Sequence, residues 1–293
     1  MQISELITKK RIIYASLTLG GVALLIWMFI PGKTPVEIAS VQKGLYEQTV
    51  QEDGNTRIKE RHVVLSPYSG VLKRVQKHAG DSVRRGETVA IIQWDWTKPI
   101  ASPANGSILK ILREDEGPIE IGQPIMEIGD THSIEIVIEV LSADAVNIQR
   151  GNPVHILRWG GPDSLEGQVR TVEPQAFAKV SALGVEERRV RIIADIVTEK
   201  EKWKSLGDNF RLECKIVTYQ NPDALKVNSG ALFREGDSWS VFRVIKGRAR
   251  KTPVEIERRG PLETMLKSGL APGDEVILYP GESVEEGQRV RPE

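Results

Sequence analysis

The strongest constraint on the fold is a stretch written twice. Ser66-Pro67-Tyr68-Ser69-Gly70-Val71-Leu72 returns as Ser102-Pro103-Ala104-Asn105-Gly106-Ser107-Ile108. Gly86 and Val89 likewise return as Gly122 and Ile125, all at a constant offset of 36 positions. Self-similarity at a fixed period means that one small structural unit is built more than once. Each copy begins with a proline, tolerated at a strand start because its missing N–H costs no ladder bond there. Val83, Val89 and Ile91 recur at even spacing, the period of a half-buried strand. Gly80 and Gly86 in the first copy, and Gly117 and Gly122 in the second, read as turn residues that need positive φ. One copy supplies roughly four short strands, too few to close a core alone. Two copies can face each other as a flattened sandwich. Between them stands only Gln93-Trp94-Asp95-Trp96-Thr97-Lys98-Pro99-Ile100-Ala101.

The N-terminus is of another kind. Ile12 to Ile30 carries no charged residue, and about 20 apolar residues span a bilayer core as a helix. Lys9, Lys10 and Arg11 precede this run, and a single Lys33 follows it. The positive-inside rule then keeps the first residues in the cytoplasm and sends everything after Lys33 outside. A cleaved signal peptide would have a shorter apolar core and a small-residue cleavage site, which is absent here. The expectation is an uncleaved anchor.

The remaining chain reads as strands and turns. Thr34 to Gly44, Glu47 to Val50 and His62 to Leu65 are predicted strands, with a turn at Glu52-Asp53-Gly54-Asn55. Ile134 to Val140 alternates strongly. Ser142 is placed as the cap of a short helix, and Thr198 with Glu201 as a capping box. Val154 to Leu157, Leu165 to Val172, Glu187 to Val197 and Phe210 to Tyr219 are further predicted strands. Strands at this spacing suggest a small barrel. Asn221-Pro222-Asp223 marks a boundary, after which Trp239 to Ile245 turns at Lys246-Gly247 into Arg250 to Ile256.

Motifs for chemistry are mostly missing. Lys and Arg total 40, as do Asp and Glu, so there is no electrostatic case for nucleic acid, which needs a basic face. The four histidines have no partner at metal-ligand spacing, so no metal is expected. Cys214 is the one cysteine and lies in an alternating run, which suits a strand better than a catalytic thiol. Ser107-Ile108-Leu109-Lys110 matches Ser-x-x-Lys, but inside a predicted strand and without its partner motifs. Lys246 to Lys251 is a basic run, either a solvated hairpin or a contact for lipid headgroups or an acidic partner near the membrane. No catalytic residue and no cofactor is assigned.

The duplicated segment resembles the lipoyl/biotinyl fold, in which two quasi-equivalent halves meet at a hairpin bearing a modified lysine. Lys98 stands in that hairpin, without the Asp-Lys-Ala or Met-Lys-Met setting that modifying ligases read. In order, the anchor, the split lipoyl-like core, the barrel and the terminal β region resemble the periplasmic adaptor, or membrane fusion protein, family of bacterial efflux and secretion pumps (HlyD-like). Ser69-Gly70-Val71-Leu72, the run Gly80 to Glu87, Ser102 to Gly106, Pro222 to Phe233 and Ser268 to Val276 carry the resemblance.

The resemblance implies a mainly β protein whose chain leaves the membrane and returns. Residues 1–33 would hold a cytoplasmic tip and a transmembrane helix over 12–30. Residues 34–48 with 222–293 would form a membrane-proximal β domain. Residues 49–65 with 131–221 would form the β-barrel, and 66–130 the lipoyl-like domain with its short hairpin 93–101. The implied role is that of a non-enzymatic, ring-forming adaptor of an inner-membrane ABC or RND transporter, anchored by a single pass with its bulk in the periplasm. Trp94 and Trp96 are then candidate partner contacts, and Glu114, Asp115 and Glu116 candidate conduit-facing residues. The family's long helical hairpin is missing, and with it the reach to an outer-membrane channel. Two other roles fit the residues: a carrier subunit using Lys98, or a membrane-tethered scaffold without a transporter.

Overall fold

A computed structural model describes residues 33–281 and 284–293. The predicted transmembrane helix, 12–30, lies outside the described residues. Among those residues no helix is long and apolar enough to cross a membrane. The chain forms two compact units, Glu47–Gln220 and a second whose described part is 33–46 with 221–281 and 284–293. It opens with β1 (Thr34–Val36), β2 (Ile38–Ser40) and the 17-residue β3 (Gln42–Ile58).

The repeat folds next. Its strands are β4 (Arg61–Leu65), β5 (Gly70–Leu72), β6 (Ser82–Val83), β7 (Thr88–Gln93), β8 (Thr97–Ala101), β9 (Gly106–Ile111), β10 (Gly117–Ile119) and β11 (Pro124–Gly129). They make two four-stranded sheets, ordered β10-β5-β7-β8 and β4-β11-β9-β6. Each sheet mixes the two copies, and the mixing obeys the 36-residue offset. Gly70 lies opposite Ile119, and Gly106 opposite Val83. Leu65 lies opposite Pro124, and Ala101 opposite Thr88, each pairing being followed by a bulge. Ser66 donates its N–H to Gln123 O (2.8 Å) and accepts from Gly122 N (2.7 Å); Ser102 donates to Glu87 O (2.8 Å) and accepts from Gly86 N (2.9 Å). Both serines are buried, and each hydroxyl donates to the carbonyl two residues on, as a buried polar group must find a partner. Between the sheets Leu72, Ile92, Ile108, Ile125, Met126 and Ile128 are fully buried, each removing enough apolar surface for about 1.5–3 kcal/mol.

The turn glycines divide. Gly80, Gly86 and Gly122 have φ of 96°, 85° and 82°. Gly117 does not, contrary to expectation: it begins β10, opposite Leu72.

The rest of this unit is a closed ring of strands. β12 (Ile134–Leu141), β13 (Pro153–Leu157), β14 (Leu165–Val180), β15 (Glu186–Ile196) and β16 (Arg211–Asn228) join β3 in the order β13-β14-β15-β12-β3-β16, and β13 pairs back onto β16. Ile136, Ile138, Ile156, Ile192, Cys214 and Ile216 fill its interior. The predicted turn at 52–55 is absent, because β3 runs straight through it. Gly54 serves packing instead: a Cβ there would stand 3.1 Å from Cys214 Sγ, Ile136 Cγ2 and Leu212 Cδ1.

Two short helices, α1 (Ser142–Ala145) and α2 (Lys200–Trp203), lack the predicted side-chain caps. Ser142 lies inside α1. Thr198 Oγ1 instead accepts from Glu166 N at 2.7 Å, tying the α2 approach to β14. Trp203 is buried, and its indole N–H donates to Thr198 O at 2.8 Å.

The second unit is built from both ends of the described chain. β17 (Phe233–Glu235), β18 (Ser238–Ile245), β19 (Arg248–Arg259), β20 (Glu263–Ser268) and β21 (Glu275–Ile277) follow β16. β20 pairs with the last residues of β16, and the order continues β20-β19-β18-β21-β2, with β17 on β18. β22 (Val290–Pro292) runs parallel to β1. Val41, Val227, Val241 and Val276 form one buried cluster, and Val36, Phe242, Ile277 and Val290 another. No break marks Asn221-Pro222-Asp223 within β16, although the division between units falls at Gln220 and Asn221.

Candidate functional site

The hairpin between the repeat copies is the feature least explained by packing. Gln93 pairs with Thr97 to close it, and Trp94 N donates to Trp96 O at 3.4 Å. Three residues thus make the whole tip. Trp94 is 63% and Trp96 65% exposed, so neither indole belongs to the core. Exposed tryptophans are costly in water and are enriched at the centres of binding surfaces.

Lys98 is set back from the tip. It lies on β8 opposite Ile92. Its ammonium sits 4.1 Å from the centroid of the Tyr68 ring and 4.8 Å from that of Trp96. A cation over aromatic faces gains roughly 0.5–1 kcal/mol at an exposed site. The amine is therefore engaged with its neighbours rather than presented at the turn. Motif reasoning passes over Tyr68, yet the sequence holds a signal for it. At the repeat offset Tyr68 corresponds to Ala104, and a mismatch inside a matched segment marks a residue with its own task.

The acidic turn is less acidic than its letters suggest. Glu116 pairs with Lys73 at 3.0 Å and Glu114 with Arg74 at 3.4 Å. Val75 N donates to Glu114 O at 2.9 Å, holding the turn against the first copy. Asp115 has no cation within salt-bridge distance among the described residues. The first-copy turn is also tied down. The Lys77 ammonium at 2.6 Å and the backbone N–H of Arg84 hold the Glu87 carboxyl below its usual range.

Other reactive groups are occupied. Burial pushes the Cys214 thiol far up, which removes the thiolate that any cysteine chemistry needs. His155 stands 3.4 Å from Glu47 and 3.0 Å from Glu166. Among the described residues no three His, Cys, Asp or Glu side chains are grouped to hold a metal. Buried Glu135 is shared by Arg57 and Arg170, a structural ion pair on the barrel wall.

Comparison with known proteins agrees with this geometry. Residues 62–128 match the biotin/lipoyl family described as biotin-requiring enzyme, and residues 224–292 match the YknX C-terminal permuted SH3-like domain. The chain is 22% identical over 201 residues to the efflux system component YknX of Bacillus subtilis, covering 66% of this chain and 51% of that protein. It is 26% identical over 110 residues to the efflux system component YhbJ of the same organism, covering 37% of this chain and 50% of that protein. The matches thus span about half the length of these curated relatives. The fold is shared with the crystal structure of MacA from Actinobacillus actinomycetemcomitans, with a TM-score of 0.64 at 13% identity over 83% of this chain and 99% of that one. A lipoyl-like sandwich and a C-terminal match to a permuted SH3-like domain therefore occur in one chain. The chain thus resembles membrane fusion, or adaptor, proteins in its family matches, its curated relatives and its fold.

Proposed function

We propose that this chain is the adaptor subunit of an inner-membrane export or efflux transporter of the ABC or RND type, braced against it as a ring in the periplasm. One observation carries the reading. The segments before and after the central unit, 33–46 with 221–281 and 284–293, fold together into a single unit. A chain anchored at its N-terminus therefore goes out, builds the barrel and the lipoyl-like core, and comes back. In this reading 1–33 is the anchor with its helix over 12–30, 34–48 plus 222–293 the membrane-proximal domain, 49–65 plus 131–221 the barrel, and 66–130 the lipoyl-like domain. Trp94 and Trp96 dock a partner, and Glu114, Asp115 and Glu116 face the conduit. With three residues at the tip, and helical rise only about 1.5 Å per residue, this stretch supplies no arm toward an outer-membrane channel. The engagement of Lys98 by Tyr68 and Trp96 favours the adaptor over a carrier.

The test is purification of the tagged full chain from its own membrane in mild detergent, paired with export measured in a strain lacking it. A polytopic exporter should co-purify in stoichiometric amount, and export should fail while the transporter's abundance holds. Full export without the chain would refute the reading. An intact mass carrying a lipoyl or biotinyl adduct on Lys98 would replace it with the carrier.

A further inference from the structure

We propose that the face formed by β22 and the turn between β18 and β19 docks onto anionic phospholipid headgroups of the membrane that holds the chain; this rests on the anchor reading above. On β22 Val290 is buried while Arg289 and Arg291 flank it on the other face. On β19 Ala249 is buried, and Arg248 and Arg250 flank it in the same way. An antiparallel bridge sets Arg248 directly opposite Arg289. Like charges facing across a strand pair destabilise it, so their placement calls for an anion.

Among the described residues the surroundings do not supply one. Glu286 neutralises Arg250 at 2.9 Å, and Glu235 neutralises Lys251 at 2.7 Å. Arg248 donates to the Gly287 carbonyl at 2.8 Å, a neutral acceptor. Lys33, Lys246, Arg289 and Arg291 have no carboxylate within salt-bridge distance among the described residues. The nearby Glu37, Glu285 and Glu293 pair with none of them. Guanidinium groups left free in a row suit phosphate, which accepts their N–H groups in pairs.

The tether identifies which anion. Thr34 pairs with Val290, and its N–H donates to Arg289 O at 3.0 Å. Lys33 is therefore the residue next to this face, and the predicted span ends at Ile30. Three residues of chain reach at most about 11 Å. The headgroup layer on each side of the hydrocarbon core is about 5–8 Å thick. The face is thus held at the headgroups by its own backbone, whereas a soluble acidic partner would give the tether no role. Near an anionic surface each Lys or Arg shifts the docked-to-undocked ratio by roughly fivefold.

The experiment is amide hydrogen exchange of the full chain inserted in lipid nanodiscs of phosphatidylcholine, with or without phosphatidylglycerol. Amides of 246–249 and 289–291 should exchange about 25-fold more slowly or more with the anionic lipid, from two or more cations acting together. The protection should disappear near 1 M salt, where the Debye length is about 3 Å. The variant K246Q/R248Q/R289Q/R291Q should lose it, and the charge-keeping variant R248K/R289K/R291K should retain it, which separates charge from folding. Equal exchange in both lipids overturns the proposal. So does protection by free inorganic phosphate in phosphatidylcholine discs, which would assign the face to a soluble anion. Insertion into phosphatidylcholine discs reports the anchor alone: failure there removes the tether and this proposal with it, whereas insertion without a lipid-dependent difference overturns only the docking face.

Discussion

Gly70 and Gly106 hold equivalent places in the two copies for the same steric reason. A Cβ on Gly106 would stand 2.5 Å from Gly129 O, and one on Gly70 would stand 2.9 Å from Gln93 O and 2.7 Å from Ile92 Cγ2. Backbone cannot retreat as a side chain can, so Gly106→Ala should destabilise by roughly 1–3 kcal/mol. Denaturant titration should show a lower midpoint with an unchanged slope. Gly44→Ala, with nothing within 4 Å of the added carbon, should leave the midpoint in place. Cys214 gives a second residue-scale prediction. Its thiol is buried and held neutral, so a thiol reagent at neutral pH should label it only in denaturant. Labelling of the native chain would show that the barrel opens there. Gly106 is legible in the sequence because the repeat prints it twice. Gly54 reads as a turn residue and is not one, because a glycine needed for close packing carries the same letter as one needed for φ.

At the scale of elements, the repeat is the most readable part of the fold because its pairing rules are written twice. Strand exchange between copies follows from the 36-residue offset, and the sandwich can be inferred before any contact is known. The barrel is legible as strands but not in their extents. β14 runs to Val180, past the predicted end at Val172, since alternation fades where both faces meet solvent. The Thr198 cap fails because its hydroxyl accepts from Glu166 N on the neighbouring strand β14, a contact distant in sequence that no local motif records. The β7–β8 tip supports the third prediction. Both indoles are exposed, and substitutions of exposed side chains usually change stability by less than about 0.5 kcal/mol. W94A/W96A should therefore melt close to the parent. If the tip docks a partner, loss of two aromatic anchors at roughly 2 kcal/mol or more each should abolish export. A variant that melts normally and exports normally would leave the tip without a docking role.

At the scale of the whole molecule, the proposed ring brings copies of the acidic turn around one axis, and ion pairing within each subunit decides how strongly those copies repel. Glu114, Asp115 and Glu116 alone would give three negative charges per subunit. Arg74 and Lys73 stand against Glu114 and Glu116, so these five side chains together carry one net negative charge per subunit, that of Asp115. Repulsion around a ring scales with the square of that charge and is screened over about 8–10 Å at ordinary salt. Asp115→Asn removes the surplus and should strengthen assembly of the detergent-solubilised chain at low salt. E114Q/D115N/E116Q goes too far: it strands Lys73 and Arg74, leaves two net positive charges per subunit, and should weaken assembly below that of the parent. Sedimentation at low salt should rank the single variant above the parent and the parent above the triple variant. The three should converge near 1 M salt, where the Debye length is about 3 Å. Assembly that is equal in all three at low salt would remove this turn from the lining of the ring.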